Sequence, residues 1–432
     1  MVLQAAAPLA LVQLAGPGAA AAAAVVLAWV LRRQQHAPTV HGQQGTPWNS
    51  AVLELCPSLA APYTLPRVLN NGHVETIVAA AFRQRPHILY DRELLALPDG
   101  GCVALDTEDL PAAERLPDDA PVLLLLPGLT GGSEDTYVQH AVLRARQAGM
   151  RAVVFNSRGT SGSPVLTAQF YSASHTEDLR NVVAHVRARH PRSQLFAAGW
   201  SLGANILTRY LGEEGEAAPL AAAAALANPL DLLLSRAAMR TGFSKVYTRN
   251  LARSLVRHLA AHAHLFEAEA AAGGRPYRVA DALAATTIGQ YDDAITTVSF
   301  GWPDVMTYYE QSGSVESIPR VRIPLLCIQA ADDPIAPHAA IPYKAIQANP
   351  HCLLVVTPTG GHLGWCGGPG GVTGAPWPNE GLTEFFTAVR SLLNQPRFAA
   401  EAAAEAARQQ AAAPPAEPAG VFTLREEVHQ AP

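Results

Sequence analysis

The feature that most constrains this chain is a series of short apolar runs set between stretches of helical periodicity. The clearest is Val122-Leu123-Leu124-Leu125-Leu126, which ends at Pro127-Gly128. A strand with one wet face alternates apolar and polar residues; a run with no polar member needs cover on both faces, as in a parallel sheet. Comparable runs fall at 151–155, 195–198, 220–226, 325–329 and 352–356, and helical patterns fall at 137–147, 178–187 and 379–393. Parallel neighbours need crossover connections, which helices supply. The alternation predicts an α/β protein with a doubly wound, mostly parallel sheet. Ahead of it, 90–97 and 102–106 flank Pro98-Asp99-Gly100-Gly101, a turn signal joining two strands.

Between 228 and 323 the strand rhythm stops, and amphipathic patterns such as 246–265 and 305–311 take over. These read as a helical cap, about 229–322, inserted over the carboxyl edge of the sheet. The ordered domain is expected over 61–395. Residues 34 to about 60 carry frequent Gln, His, Gly and Pro without periodicity and read as a linker; 396–432 read as frayed helix and disorder.

The N-terminus is of another kind. No charged side chain occurs from Met1 to Leu31, and 19–31 reads AAAAAAVVLAWVL before Arg32-Arg33. About 20 apolar residues span a bilayer, and 9–31 reach that length if Gln13 and Gly16-Pro17-Gly18 are tolerated. Three readings fit: a single-pass membrane anchor, a cleaved signal or organelle transit peptide, and a low-complexity arm. Trp29 beside the arginines suits an interfacial anchor, and the positive-inside rule then places the folded domain on the cytoplasmic side.

Composition excludes several classes. A net charge of −5 with no basic run argues against nucleic acid as a partner. The five cysteines are scattered and never in C-x-x-C spacing, which argues against a disulfide framework and a zinc site.

The chemistry gathers at the ends of the apolar runs. Phe196 to Trp200 leads into Gly199-Trp200-Ser201-Leu202-Gly203, the pattern of a nucleophile elbow, where a strand turns sharply into a helix and exposes a serine hydroxyl. A nucleophilic serine needs a base within reach and a carboxylate orienting that base. The run at 325–329 leads into Asp332-Asp333-Pro334, and the run at 352–356 leads into Gly360-Gly361-His362. Each sits at a strand end, in the order Ser, Asp, His that this architecture uses. The expected triad is Ser201, Asp333 and His362. Asp333 is preferred because it adjoins Pro334 and Ile335, which fix the loop; Asp332 reads as a partner for backbone amides. Oxyanion donors are expected from the Leu202 N–H, at a helix N-terminus, and the Leu129 N–H, in the glycine-rich loop 127–132. A serine rather than an aspartate at the elbow makes an acyl-enzyme the natural intermediate. Arg158 reads as a buried residue fixing loops, His175 as structural and Cys366 as packing.

Further motifs resemble the α/β-hydrolase-fold proteins called abhydrolase-domain-containing or embryogenesis-associated. Gly72-His73-Val74-Glu75-Thr76-Ile77 is similar to that family's G-H-L-Q-T-I, 156–164 to its N-x-R-G-x-x-G-S, and 171–179 to its Y-S-x-x-H-T-x-D-L. Phe300-Gly301, Tyr308-Tyr309, Asp332-Asp333-Pro334 and Gly361-His362-Leu363-Gly364 extend the likeness, which covers roughly 62–393. The resemblance implies the α/β-hydrolase fold with Ser201, Asp333 and His362 as triad, and activity on monoacylglycerols, phospholipids or short- to medium-chain esters. Some members are acyltransferases forming fatty-acid esters, and several carry one N-terminal membrane anchor. The expected function is a serine carboxylester hydrolase on lipid or small acyl esters, with no metal or organic cofactor required. An acyltransferase with the same triad is the alternative, and a catalytically silent membrane scaffold a third.

Overall fold

The computed structural model describes residues 28–29, 32–43, 47–368 and 370–395. In chain order the strands are β1 (Arg33–His36), β2 (Thr39–Gly42), β3 (Tyr63–Pro66), β4 (Tyr90–Ala96), β5 (Cys102–Glu108), β6 (Val122–Leu126), β7 (Arg151–Asn156), β8 (Leu195–Trp200), β9 (Ala222–Leu226), β10 (Leu325–Ala330) and β11 (Cys352–Thr357). Nine of them form one sheet, ordered β2-β11-β10-β9-β8-β6-β7-β5-β4, while β1 pairs with β3 alone. The pairs from β7 through β11 are parallel; β2, β4 and β5 join antiparallel.

The apolar runs become central strands because side chains alternate across a pleated strand. Leu123 and Leu125 of β6 enter one core, with Phe196, Phe385 and Phe386; Val122, Leu124 and Leu126 enter the other, with Leu179, Val183 and Leu207. The helices supplying the cover are α1 (Pro47–Leu55), α2 (Gly72–Phe82), α3 (Thr136–Gln147), α4 (Glu177–Arg189) and α5 (Leu202–Glu214), then, beyond the cap, Tyr343–Ala348 and Pro378–Leu393. From β6 the chain crosses to β7 on one side and then to β8 on the other. That reversal opens a crevice at the carboxyl ends of β6 and β8, the usual place for a ligand in an open α/β sheet.

Between β9 and β10 the described chain is helical: α6 (Leu232–Met239), α7 (Lys245–Ala271), α8 (Val279–Leu283), α9 (Ile288–Tyr291), α10 (Thr297–Phe300) and α11 (Val305–Ser312), with a π-helical stretch at Asp292–Thr296. Phe170, Leu255, Leu259, Phe266, Tyr291 and Ile295 give this region a core of its own. Tyr247 of α7 stacks on His73 of α2, with ring centroids 5.7 Å apart, and fastens it to the sheet domain.

Two expectations are corrected. The stretch 34–60 is not a linker: β2 extends the sheet along β11 with Val40 opposite Val355, and Val52 of α1, Cys56 and Leu59 are buried in the core. A four-residue edge strand is held by backbone pairing to a distant partner, so its composition carries no periodic signal. The single-pass anchor is not supported: no helix among the described residues is long and apolar enough to cross a membrane. The hydrophobic stretch 9–31 lies outside the described residues except for Ala28 and Trp29. Trp29, expected at a membrane interface, lies against the folded domain, its ring 4.1 Å from the Arg67 guanidinium carbon. Residues 396–432, expected as a disordered tail, also lie outside the described residues.

Candidate active site

Ser201 stands between β8 and α5 with φ +51° and ψ −119°. Side chains strongly disfavour this conformation, so the surroundings must enforce it. The Ser201 N–H donates to the Leu226 carbonyl at 2.9 Å, and packing does the rest. A Cβ on Gly199 would stand 2.6 Å from the Gly203 carbonyl oxygen, and one on Gly203 would stand 2.2 Å from that of Leu126. Both obstacles are backbone, so only glycine lets the turn close.

The loops after β10 and β11 bring two distant residues to this hydroxyl. His362 Nε2 lies 2.8 Å from Ser201 Oγ, and His362 Nδ1 lies 2.9 Å from Asp333 Oδ2 and 3.1 Å from Oδ1. An ionised carboxylate only accepts, so Nδ1 carries the proton, and Nε2 of the neutral ring accepts from the serine hydroxyl. Asp333 also accepts from the N–H groups of Ile335 (2.8 Å) and Ala336 (2.9 Å), which hold its carboxylate still.

The histidine loop is braced from α2. Its neighbour Gly361 has φ +54°, and a Cβ there would stand 2.2 Å from the Gly72 carbonyl oxygen. Thr76 Oγ1 accepts from the His362 N–H at 2.8 Å, and Asp332 Oδ1 accepts from the Gly361 N–H at 2.9 Å. Glu75, fully buried, accepts from the Thr359 hydroxyl at 2.5 Å and the Cys366 N–H at 2.9 Å, one on each side of His362. Burial pushes the Glu75 carboxyl up to about 7, although both hydrogen bonds favour its charged form. The Arg83 guanidinium donates to the carbonyls of Leu363 and Gly364.

The loop after β6 has its own supports. The Tyr137 hydroxyl accepts from the Gly128 N–H at 2.9 Å, and the Tyr171 hydroxyl accepts from the Thr130 N–H at 2.8 Å. Thr130 is left-handed, with φ +61°. The N–H of Leu129, between these anchored groups, and that of Leu202, at the start of α5, have no hydrogen-bond acceptor among the described residues. Both residues line the same cavity as Ser201 and His362. Two free N–H groups beside a serine hydroxyl are suited to stabilise an oxyanion.

That cavity, about 640 Å³, is roofed by α6, α7, α9 and the π-helical stretch. Asp292 of that stretch is buried and accepts from Thr296 and Tyr309, both at 2.6 Å; burial pushes its carboxyl up to about 6. The remaining sequence candidates lie off the cavity. Arg158 is buried and bonds Asp178 (2.6 and 2.8 Å) and Asp99 (2.6 Å), tying the loop after β7 to the first turn of α4 and to the β4–β5 turn, while His175 lies 3.3 Å from Asp178. All five cysteines are free and buried, and burial pushes the Cys366 thiol up to about 11.

Five residues of this site were not assigned there from sequence: Glu75, Thr76, Arg83, Tyr137 and Tyr171. Glu75 and Thr76 belong to the conspicuous Gly72–Ile77 motif and Tyr171 to the 171–179 motif, so a signal was present, but without a role attached. Arg83 and Tyr137 carried none.

The chain is similar in sequence to known proteins. A profile of the α/β hydrolase fold family matches residues 121–366. The embryogenesis-associated protein EMB8 of Picea glauca is 45% identical over 83% of this chain and 78% of its own length. Phospholipase ABHD3 of Homo sapiens is 31% identical over 75% of this chain and 78% of its own length. The medium-chain fatty acid ethyl ester synthase/esterase 2 of Saccharomyces cerevisiae is 32% identical over 62% of each.

Proposed function

The chain belongs to the α/β hydrolase fold family, and on that premise we propose that it is a serine carboxylester hydrolase acting on lipid or short- to medium-chain acyl esters. His362 Nε2 takes the Ser201 proton as Oγ attacks the ester carbonyl. The N–H groups of Leu129 and Leu202 hold the resulting oxyanion. Asp333 keeps the imidazole oriented and balances its charge. The tetrahedral intermediate collapses to an acyl-enzyme, and His362 hands its proton to the departing alcohol. Water then enters, gives a proton to His362 and attacks the acyl carbon; a second collapse returns the proton to Ser201 and frees the acid.

The observation that carries the reading is the contact of Ser201 Oγ with His362 Nε2 at 2.8 Å, on a backbone held in a conformation that serine disfavours. The substrate class draws support from two relatives, one named a phospholipase and one a medium-chain ethyl ester synthase/esterase. A cavity of about 640 Å³ accommodates an acyl chain of that size.

The test is hydrolysis of acyl esters of graded chain length by the wild type and Ser201→Ala. Activity is expected to peak at short to medium chains and to fall by about 10⁴-fold or more in the variant. Equal turnover by the two proteins contradicts the assignment. The synthase/esterase name also favours a second reading, transfer of the acyl group to an alcohol. Adding ethanol and measuring the ratio of ethyl ester to free acid separates the two.

A further inference from the structure

The cavity wall carries charge that ester cleavage does not use. Arg236, Arg240, Lys245 and Arg249, from α6, the turn after it and the start of α7, line the same cavity as Ser201. Arg236 is half-buried and the other three are exposed. Among the described residues none of the four has an ion-pair or hydrogen-bond partner for its side chain. Elsewhere in the chain arginines are usually paired, as Arg158, Arg180 and Arg275 are.

No carboxylate of the cavity is paired with these cations. Its carboxylates are Asp135 and Asp292, and both are engaged: Asp135 accepts from the Gly132 N–H at 3.1 Å, and Asp292 bonds Thr296 and Tyr309. Lys245 and Arg249 stand four residues apart on α7, a like-charge spacing that weakens a helix. The whole chain has a net charge of −5, so this concentration of positive charge runs against the composition. A cleft lined by one sign of charge with apolar walls focuses its field and collects the opposite charge; Leu232, Met239, Leu251 and Leu255 supply such walls. A second observation points the same way. Ser235, beside Arg236, lines the cavity, and its buried hydroxyl has no hydrogen-bond partner among the described residues.

We propose that this wall is a subsite for an anionic group, phosphate or carboxylate, carried by the ester substrate at a distance from the reacting carbonyl. The inference rests on the ester-hydrolase reading above. Arginine forks match phosphate and carboxylate oxygens in pairs, and Lys245 adds a compact charge. The anion sits on the leaving alcohol if it is a phosphate, or at the far end of the acyl chain if it is a carboxylate.

Two matched pairs of esters distinguish these sources: 1-octanoyl-glycerol against 1-octanoyl-glycerol 3-phosphate, and ethyl octanoate against monoethyl octanedioate. The wild type is expected to favour the anionic member of one pair by about 10-fold or more in kcat/KM, through KM. Raised salt and the double variant Arg236→Gln/Arg240→Gln should both shrink that ratio toward one. Preference in the first pair places the anion on the alcohol, and preference in the second places it on the acyl chain. Hydrolysis of both members of both pairs with equal kcat/KM overturns the subsite while leaving the ester-hydrolase reading intact. Hydrolysis of none overturns that reading, and titration of the full chain with octyl phosphate then decides the subsite alone. Octyl phosphate binding more tightly than octanol, and weakened about 10-fold in the double variant, supports it; equal affinity in wild type and variant overturns it.

Discussion

The serine turn and the histidine loop meet within hydrogen-bond distance, yet they are held by opposite means. Around Ser201 the restraints are local and mostly steric: Gly199 and Gly203 let backbone close on backbone, and the contacts reach only to β6 and β9. Around His362 they are remote and polar. Glu75, Thr76 and Arg83 of α2 and the adjoining turn hold it across 280 to 291 residues of sequence, and Asp332 holds it from the β10 loop. A serine fixed by packing is hard to displace without unfolding the centre of the sheet. A histidine fixed by a polar brace is tunable, because each hydrogen bond can be weakened separately.

Breaking the steric side should have the largest effect. Gly203→Ala places a methyl carbon 2.2 Å from the Leu126 carbonyl oxygen and 2.4 Å from that of Pro127, and neither can yield without moving the loop after β6. A loss of about 3 kcal/mol or more in chemical denaturation is expected, together with loss of esterase activity in whatever remains folded. Normal stability in this variant would break the contrast.

The polar side should fail more gradually. Glu75→Ala removes acceptors on both sides of His362 and is expected to lower kcat by about 10²-fold through misplacement of the base, with a smaller change in KM. Glu75→Gln mimics the neutral acid and should recover most of the rate. Equal loss in both variants would argue that the carboxylate charge, rather than the brace, matters. The same residue makes stability depend on pH. Its carboxyl sits near 7 in the folded chain against an ordinary 4.5, so below 4.5 both states are protonated and the contribution is complete. As pH rises from there, the unfolded chain releases its proton first, and about 3 kcal/mol of stability is lost by the time pH passes 7. Thermal melts from pH 5 to 8 should therefore fall more steeply for wild type than for Glu75→Gln.

A smaller effect sharpens the comparison at the third loop. Tyr171→Phe leaves the Thr130 N–H without its acceptor beside Leu129. Thr130 is half-buried, so its unpaired N–H should cost about 1 kcal/mol, the low end of the penalty for a buried group, and a loosened donor at Leu129 should lower kcat about 10-fold. An unchanged kcat would show that the loop is held by packing, as the serine turn is.

The same contrast explains what was legible in the sequence. Ser201, Asp333 and His362 each follow an apolar run that must be a covered strand, and the strand end fixes where the next residue points. The central strands were readable within a residue or two for the same reason: Val122–Leu126 has no polar member and could be nothing else. The α7 helix was readable from its amphipathic pattern. Glu75 and Tyr137 were not, because their roles arise from contacts made only after the chain has folded. The strand at Thr39–Gly42 was missed because four residues paired along one edge leave no pattern in themselves.

The central claim is that Ser201 is the nucleophile and that His362 activates it. The most direct measurement is covalent labelling of the folded full-length chain with a fluorophosphonate, followed by intact mass and peptide mapping. The account predicts one adduct, on Ser201, absent in Ser201→Ala and strongly slowed in His362→Ala. An adduct on another residue, or a well-folded wild type that takes up no label, would contradict it.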